Sequence, residues 1–246
     1  FKVLVLSSES IKSPNRETNV SVIANKNLYD LILCADDGII LHCRQAEMFP
    51  YGSTWLNRGK INHPDGLGYF SPDVDIFKKR DRTINDVSFL ASWYDMDRPG
   101  YRLRRELWAR QSEIEIPTMF HTSLKSFLGA TNPLPNGEKE ALFYSAFHVC
   151  IENQSVKHYF TEKLIDSFLT YTIPIYWGCP NIGDYFNLDG MIIIDSIEEL
   201  IPKINELTLD SYYDKMDAMV ENRKIAETYA NFGERVYSAI CERINS

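Results

Sequence analysis

The sequence lacks the signatures of several large protein classes. It has no apolar run long enough to form a transmembrane helix. Its net charge of −8 argues against nucleic acid as a partner. The five cysteines are odd in number and lie mostly in apolar runs, which favours reduced thiols over a disulfide framework. We therefore expect a protein of the cytoplasm, with attachment to a membrane surface as the alternative.

Familiar nucleotide-binding and catalytic motifs are also absent. No Walker loop occurs, and no Gly-x-Gly-x-x-Gly motif follows the first predicted strand, which disfavours P-loop kinases and ordinary dinucleotide enzymes. The sequence has no Gly-x-Ser-x-Gly elbow. Its cysteines and histidines show no spacing typical of metal ligands. Any nucleotide site must therefore be built from other residues.

Apolar runs alternate with helical patterns along the chain, which predicts an α/β fold with mainly parallel sheets. Strands are predicted at residues 1–6, 30–35, 39–43, 86–92, 114–120, 146–151, 173–178 and 191–194. Helices are predicted at residues 19–27, 102–112, 138–145, 164–171, 197–207 and in the tail, 211–244, with a break near Asn231. The charged stretch 77–82 is predicted to be a solvated linker between two domains.

The stretch from residue 146 to residue 178 has the pattern of a strand, a polar loop, a helix and a second strand. In such a unit ligands bind where the strands end, over the helix N-terminus. Helix N-termini carry unpaired N–H groups and a partial positive charge, which suit a phosphate. Lys163 lies in the first helical turn, where acids are usual, and also indicates an anion. The loop contributes Glu152, Asn153, Ser155, Lys157, His158, Tyr159, Thr161 and Glu162.

Three other groups of residues can be interpreted in two ways. Asp73-Val-Asp75 and Asp95-Met-Asp97 match the Asp-x-Asp pattern of metal-dependent sugar transferases, although solvated turns explain such pairs more simply. The basic cluster that includes Arg104 is either a solvated helix face or the source of a bidentate diphosphate contact. Glu9 ends the first predicted strand as an ordinary loop residue or, across a cleft, as a general base.

The central stretch resembles the donor-binding motif of the α1,3/1,4-fucosyltransferases of glycosyltransferase family ten. The matching residues are Ile151-Glu-Asn153, Tyr159-Phe-Thr-Glu-Lys163 and Ile173-Pro-Ile-Tyr-Trp-Gly178. The resemblance extends over residues 86–200 and is weak before them. It implies a GT-B fold, in which two Rossmann-like domains face a cleft, with an N-terminal domain that is short or truncated. Residues 1–85 would form the acceptor side and residues 86–246 the donor side, with helix 211–245 packing back on the first domain.

The resemblance also implies roles for individual residues. Asn153, Tyr159, Glu162 and Lys163 would line the donor site, together with Ser155 and Thr161 of the same loop. The family's diphosphate arginine follows a Phe-x-Ala-Ser strand, here Phe89-Leu-Ala-Ser92, and corresponds to Arg104. Its catalytic glutamate precedes a Pro-Asn pair and corresponds to Glu9, with Asp73 or Glu17 as substitutes.

We therefore expect an inverting glycosyltransferase that needs neither cofactor nor metal. Its substrates would be a nucleotide-sugar donor, GDP-fucose by resemblance, and the hydroxyl of an oligosaccharide acceptor. Three alternatives stay open: a UDP-sugar donor such as UDP-xylose, a non-catalytic glycan- or nucleotide-binding module, and a metal-dependent transferase that uses an Asp-x-Asp pair.

Overall fold

The computed structural model describes residues 1–6, 16–57, 68–92, 98–123, 128–129 and 131–245, except for the side chains of residues 16–19. Within these residues eight strands form two parallel sheets. The strands are β1 (Val3–Val5), β2 (Leu31–Cys34), β3 (Ala46–Met48), β4 (Val87–Ala91), β5 (Thr118–Thr122), β6 (Phe147–Ile151), β7 (Ile173–Trp177) and β8 (Ile192–Ile193). The predicted α/β class with parallel sheets is confirmed.

Helices connect the strands and follow the last of them. In the described residues they are α1 (Arg16–Ala24), α2 (Asp37–His42), α3 (Pro99–Ala109), α4 (Glu162–Leu169), α5 (Ile197–Asn205), α6 (Leu209–Asp214), α7 (Met216–Ala230) and α8 (Phe232–Asn245). Shorter 3₁₀ helices include Asp75–Phe77 and Lys139–Tyr144. None of the described helices is both long enough and apolar enough to cross a membrane.

The larger sheet has the strand order β5-β4-β6-β7-β8, so the chain reverses direction across the sheet between β4 and β6. The strands β4 and β6 are in register at two pairs, Val87–Phe147 and Ser88–His148. In contrast, β4 pairs with β5 along its whole length, as β6 does with β7. The carboxyl-terminal halves of β4 and β6 therefore separate, and a crevice opens at the switch point where ligands of open α/β sheets bind.

The smaller sheet, β1-β2-β3, is covered on two faces by different parts of the chain. Ile32 and Cys34 of β2 pack with α1 and α2, through residues such as Val22 and Ile39. On the opposite face, Leu31 and Leu33 pack with the carboxyl-terminal helix α8, through Phe232, Val236, Ala239 and Ile240. The last helix of the chain thus completes the core of the first sheet. The domain boundary at residues 85 and 86 stays a prediction.

The predicted strand at residues 39–43 is wrong, because residues 39–42 lie in helix α2 and Cys43 is the C-cap of that helix. The Asp36 carboxylate accepts a hydrogen bond from the Ile39 N–H at 2.9 Å and caps the helix. Ile39 and Cys43 are buried four residues apart, whereas Leu41 between them is 80% exposed. This is helical spacing, since a strand would place all three side chains on one face.

The predicted linker 77–82 is exposed at Lys78, Lys79 and Asp81 but is attached to the larger sheet at both of its ends. The side chains of Phe77 and Arg82 at its two ends are buried. The Arg82 guanidinium donates to the carbonyls of Tyr144, Phe143 and Thr170 and to the Thr172 hydroxyl. These buried hydrogen bonds attach the stretch to the larger sheet's helices and loops.

Candidate functional site

A cavity of about 390 Å³ lies where β4 and β6 separate. Its apolar wall includes Phe89, Leu90, Val149 and Ile151 from the carboxyl-terminal halves of the two strands. Among the described residues that line it, four are cationic and two carry carboxylates: Arg98, Arg104, Lys139 and Lys163, with Glu162 and Asp166. A cation-rich cavity in a chain of net charge −8 indicates an anionic ligand.

The loop after β6 is held against helix α3 and strand β7 by close backbone contacts. A side chain at Gly100, in the first turn of α3, would place its Cβ 1.8 Å from the Glu152 carbonyl oxygen. A Cβ at Gly178 would lie 2.7 Å from the Glu152 Cγ. Glycine at these two positions lets α3 and the end of β7 approach the loop, which fixes the position of Glu152 and Asn153.

Buried Glu152 anchors the N-terminus of α4. Its carboxylate accepts hydrogen bonds from the Thr161 N–H at 2.8 Å and from the Thr161 hydroxyl at 2.9 and 3.0 Å. Thr161 is the N-cap of α4, and its hydroxyl accepts from the Lys163 N–H at 3.4 Å. Glu152 therefore sets the direction in which the first turn of α4 faces the cavity.

Lys163 is held between two carboxylates. Its Nζ lies 3.4 Å from a Glu152 oxygen and 3.3 Å from a Glu162 oxygen, and it donates to the Thr161 hydroxyl at 3.0 Å. Burial alone would lower the pKa of Lys163, but Glu162 and Glu152 raise it above the ordinary value. Lys163 is therefore fully protonated at neutral pH and faces the cavity as a fixed positive charge.

Glu162 has two cationic neighbours. Lys163 lies on the same helix, and the Nζ of Lys139, from the 3₁₀ helix Lys139–Tyr144, lies 3.5 Å away. Burial would raise the pKa of Glu162, but the two lysines outweigh it and bring this pKa to about 2. Lys139 also lies 4.2 Å from the centre of the Trp55 ring. Glu162 is thus an ionised hydrogen-bond acceptor at the cavity wall.

Arg104 reaches the same cavity from α3. Its guanidinium donates to the Ile151 carbonyl through two nitrogens and to the Asn153 side-chain oxygen at 3.0 Å. The Tyr101 ring centre lies 5.1 Å from it. Burial lowers the pKa of Arg104, which nevertheless stays charged because a guanidinium is so strongly basic. Arg104 and Lys163 thus place two positive charges on different walls of the cavity.

Asp166, one turn further along α4, joins the cavity to the segment before residue 58. Its Oδ1 accepts from the Thr54 hydroxyl at 2.6 Å and from the Trp55 N–H at 3.1 Å. Burial raises the pKa of Asp166 to about 7. Tyr51 and Trp55 of this segment also line the cavity, so its lining includes residues that precede the larger sheet.

The structure brings together six of the residues predicted from the sequence. Arg104, Asn153, Tyr159, Thr161, Glu162 and Lys163 all line the cavity. Ser155 is exposed and is not part of the described lining. The roles of all these residues stay predictions.

One of the two predicted catalytic residues, Asp73, lies within the described part of the chain. Asp73 is exposed, in a turn before the 3₁₀ helix Asp75–Phe77, and does not belong to the described lining. Asp75 pairs instead with Arg80 at 2.8 Å, and this hydrogen bond lowers the pKa of its carboxyl. Glu9, Asp95, Asp97 and the side chain of Glu17 lie outside the described residues.

Sequence reasoning assigned no role to Glu152, Lys139 or Asp166. Glu152 lies within the motif, and its position beside Asn153 was a usable signal. Asp166 is the fourth residue after Glu162, so helical spacing puts both on one face of α4. Lys139 comes from a separate segment, and only the three-dimensional structure brings it to Glu162.

Comparisons with known proteins agree with this geometry. Over 128 residues the chain is 30% identical to α-(1,3)-fucosyltransferase FucT of Helicobacter pylori. The aligned region covers 52% of this chain and 24% of that protein. A crystal structure of an α1,3-fucosyltransferase is similar with a TM-score of 0.53 and 22% identity, over 89% of this chain and 64% of that one. TarM is similar with a TM-score of 0.57 and 12% identity, over 100% of this chain and 50% of that one.

The chain thus spans about a quarter of the curated fucosyltransferase and less than two thirds of the crystallised one. No protein-family model matches it. A structure of α1,3-fucosyltransferase with GDP-fucose is similar as well, with a TM-score of 0.52 and 23% identity over 90% of this chain and 66% of that one. Because the identities to these solved structures are low, the structural similarity establishes a shared fold and nothing beyond it. Sequence and structure together describe a fucosyltransferase-like chain with the GT-B fold of glycosyltransferases.

Proposed function

We propose that the protein is an inverting glycosyltransferase that transfers fucose from GDP-fucose to a hydroxyl group of a glycan acceptor, without a metal ion. One observation carries the proposal: the cavity between β4 and β6 combines an arginine, a helix N-terminus with its lysine, and a buried acceptor carboxylate. These are the groups that a nucleotide diphosphate joined to a sugar requires.

The diphosphate is assigned to Arg104, Lys163 and the N-terminus of α4. Negative charge accumulates on the leaving diphosphate as the bond to the sugar breaks. Two cations and the partial positive charge of the helix N-terminus stabilise that charge where water is partly excluded. Because these cations can neutralise the leaving group, the proposed reaction runs without a divalent ion.

Glu162 is assigned to a hydroxyl group of the donor's sugar or ribose. As an ionised carboxylate it accepts hydrogen bonds only, and its pKa near 2 keeps it in that form. By the family resemblance, Glu9 takes the proton from the acceptor hydroxyl as that oxygen attacks the anomeric carbon on the face opposite the diphosphate. Attack from that face inverts the anomeric configuration.

A nucleotide-sugar screen tests the proposal. Thermal unfolding of the whole chain is followed with GDP-fucose, UDP-xylose and CMP- and ADP-sugars, each with and without Mn²⁺. We expect stabilisation by GDP-fucose in both conditions, and transfer to a glycan acceptor that persists in chelator. Stabilisation by UDP-sugars alone would show that the donor is a UDP-sugar rather than GDP-fucose. Loss of transfer in the presence of chelator would contradict the metal-independent mechanism. Donor binding with neither transfer nor hydrolysis would identify a binding module.

A further inference from the structure

Lys163 is already engaged before any donor arrives. Its Nζ contacts Glu152, Glu162 and the Thr161 hydroxyl. A lysine has three N–H donors, and each of them has a neighbour here. To bind a diphosphate, Lys163 must therefore weaken at least one of these contacts. Glu152 has two hydrogen bonds from Thr161 to compensate for such a loss, so the consequence falls on Glu162.

A buried carboxylate that loses its cation is costly. The Glu162 side chain is 7% exposed, so water does little to replace Lys163. Such a group either takes up a proton or disturbs its surroundings. A protonated Glu162 would have lost half of its acceptor capacity at the moment when the donor's hydroxyl groups reach it. Glu162 thus needs a second cation that the diphosphate does not recruit.

Lys139 is placed to supply this second cation. It lies on a separate element, 3.5 Å from Glu162 and 4.2 Å from the centre of the Trp55 ring. The ring stabilises the ammonium group from the side, as a cation–π partner does. Burial lowers the pKa of Lys139, while Glu162 and Asp166 oppose the shift.

We propose that Lys139 is a positioning residue that serves as the reserve counter-ion of Glu162, so that Lys163 can turn to the donor's diphosphate while Glu162 stays ionised. This inference rests on the proposed function, since it presumes a diphosphate donor in the cavity. It assigns two lysines of one site to different tasks. Lys163 binds the leaving group, and Lys139 maintains the carboxylate.

The groups around Glu162 determine the control experiments. Those that face it or act on its charge are Lys139, Lys163, Thr161, Arg104, Tyr159 and Asp166. Asp166 has a pKa of about 7 and interacts electrostatically with Lys139, so its contribution to the pH dependence has to be removed. All pH measurements are therefore repeated in an Asp166→Asn background.

The experiment is a double-mutant cycle on donor affinity, with GDP-fucose as the ligand and isothermal titration calorimetry as the measurement. Lys139→Met, which keeps the length of the side chain, should weaken binding by about ten- to a hundredfold. Lys139→Arg should restore most of the affinity. In a Glu162→Gln background the Lys139→Met penalty should fall to within about threefold, because no carboxylate is left to be maintained.

The dependence on pH gives a second criterion. In Lys139→Met, donor binding would be accompanied by proton uptake at Glu162, so the ratio of variant to wild-type dissociation constants should shrink as the pH falls from about 8 to about 5. A direct contact of Lys139 with the donor, or a purely structural role, would give a ratio that is constant with pH and a penalty that persists with Glu162→Gln. Either result overturns the inference and leaves the proposed function intact. Failure of the wild-type chain to bind any nucleotide sugar would overturn both.

Discussion

The two sheets of the molecule differ in how deeply their strands are buried and in which segments of the chain cover them. In the larger sheet, β6 and β7 are buried throughout or almost throughout, and the helices around them form one continuous core. In the smaller sheet, β1 and β3 are three residues long and none of their residues is fully buried. One face of this sheet depends on α8, the last helix of the chain. The larger sheet, to which we assign the donor, is therefore packed within one core, whereas the smaller sheet depends on a distant segment.

The two regions meet through a few polar contacts near the cavity. Asp166 accepts from Thr54 and Trp55, and the His158 ring lies 3.1 Å from Asp37 of α2. Arg235 of α8 donates to the carbonyls of Gly52 and Pro50. Under the proposed roles, we expect donor binding and removal of the acceptor's proton to be separable, and mutations can test them independently.

Glu9→Gln tests the acceptor side and should have the largest effect. Loss of a general base lowers turnover by roughly two to four decades. The affinity for the donor should change by less than about threefold, since Glu9 is assigned to the acceptor rather than to the donor. Initial rates of transfer and calorimetric donor binding measure the two quantities. Near-normal turnover in this variant would remove Glu9 from its predicted role, and Asp73→Asn would then be measured next.

Lys163→Ala tests the proposed donor site, where the rate of transfer and the affinity for the donor should fall together. Removing a positioned cation from a leaving group costs roughly two to three decades of rate, and the nucleotide should also bind much more weakly. Lys203→Ala on α5 is the matched control, because Lys203 is a partly exposed lysine 3.1 Å from Glu199 that does not belong to the described cavity lining. The control should behave like the wild type. Unchanged nucleotide affinity in Lys163→Ala would contradict the assignment of the diphosphate to this residue.

Phe232→Ala tests whether α8 supports the smaller sheet. The Phe232 ring lies 5.7 Å from the Phe49 ring and 5.2 Å from the Tyr51 ring. We expect a loss of about 1–3 kcal/mol in the free energy of unfolding. The backbone amide hydrogens of β2 should exchange faster, whereas the exchange rates in β6 and β7 should stay unchanged. Tyr237→Ala, on the same helix but 69% exposed, is the control and should alter neither region. Equal acceleration in both sheets would contradict the proposed difference between them.

The sequence was most informative where local patterns decide the structure. The apolar runs at β4, β6 and β7 are buried strands. The spacing from Glu152 to Gly178 predicts the loop and helix that hold five of the six predicted residues at the cavity. At residues 39–43 the β-branched and apolar residues favoured a strand, but the Asp36 cap and the burial of Ile39 and Cys43 decide for a helix. Local propensity is overridden there by capping and by packing.

Features that depend on distant segments could not be predicted. The cavity exists because β4 and β6 stop pairing after Ser88 and His148, and no local pattern in either strand records that separation. Lys139 reaches Glu162 from another element, and Arg82 looks like a linker residue until its buried carbonyl partners are seen. Long-range contacts of this kind determine the electrostatics of the site.

Asp166→Asn tests the contact between the two regions through the pH dependence of stability. The folded-state pKa of about 7 lies above the ordinary 3.8, so the wild type loses stability as the pH rises between these values. Asparagine can still accept both hydrogen bonds at Oδ1, and it does not titrate. Relative to the wild type, the variant should therefore gain stability as the pH rises from about 4 to about 8, by up to about 4 kcal/mol for a shift of this size. Chemical denaturation at several pH values measures this difference.

Glu162→Gln provides the opposite case on the same helix. The pKa of Glu162 is about 2, below the ordinary 4.5, so its carboxylate stabilises the fold above that ordinary value and the contribution is lost as the pH falls toward 2. Relative to the wild type, Glu162→Gln should therefore lose stability as the pH rises from about 2 to about 5. Two carboxylates one turn apart thus predict opposite slopes, because one faces two lysines and the other is buried against the segment before residue 58. Slopes of the same sign would show that a shared charge, rather than these separate surroundings, governs both groups.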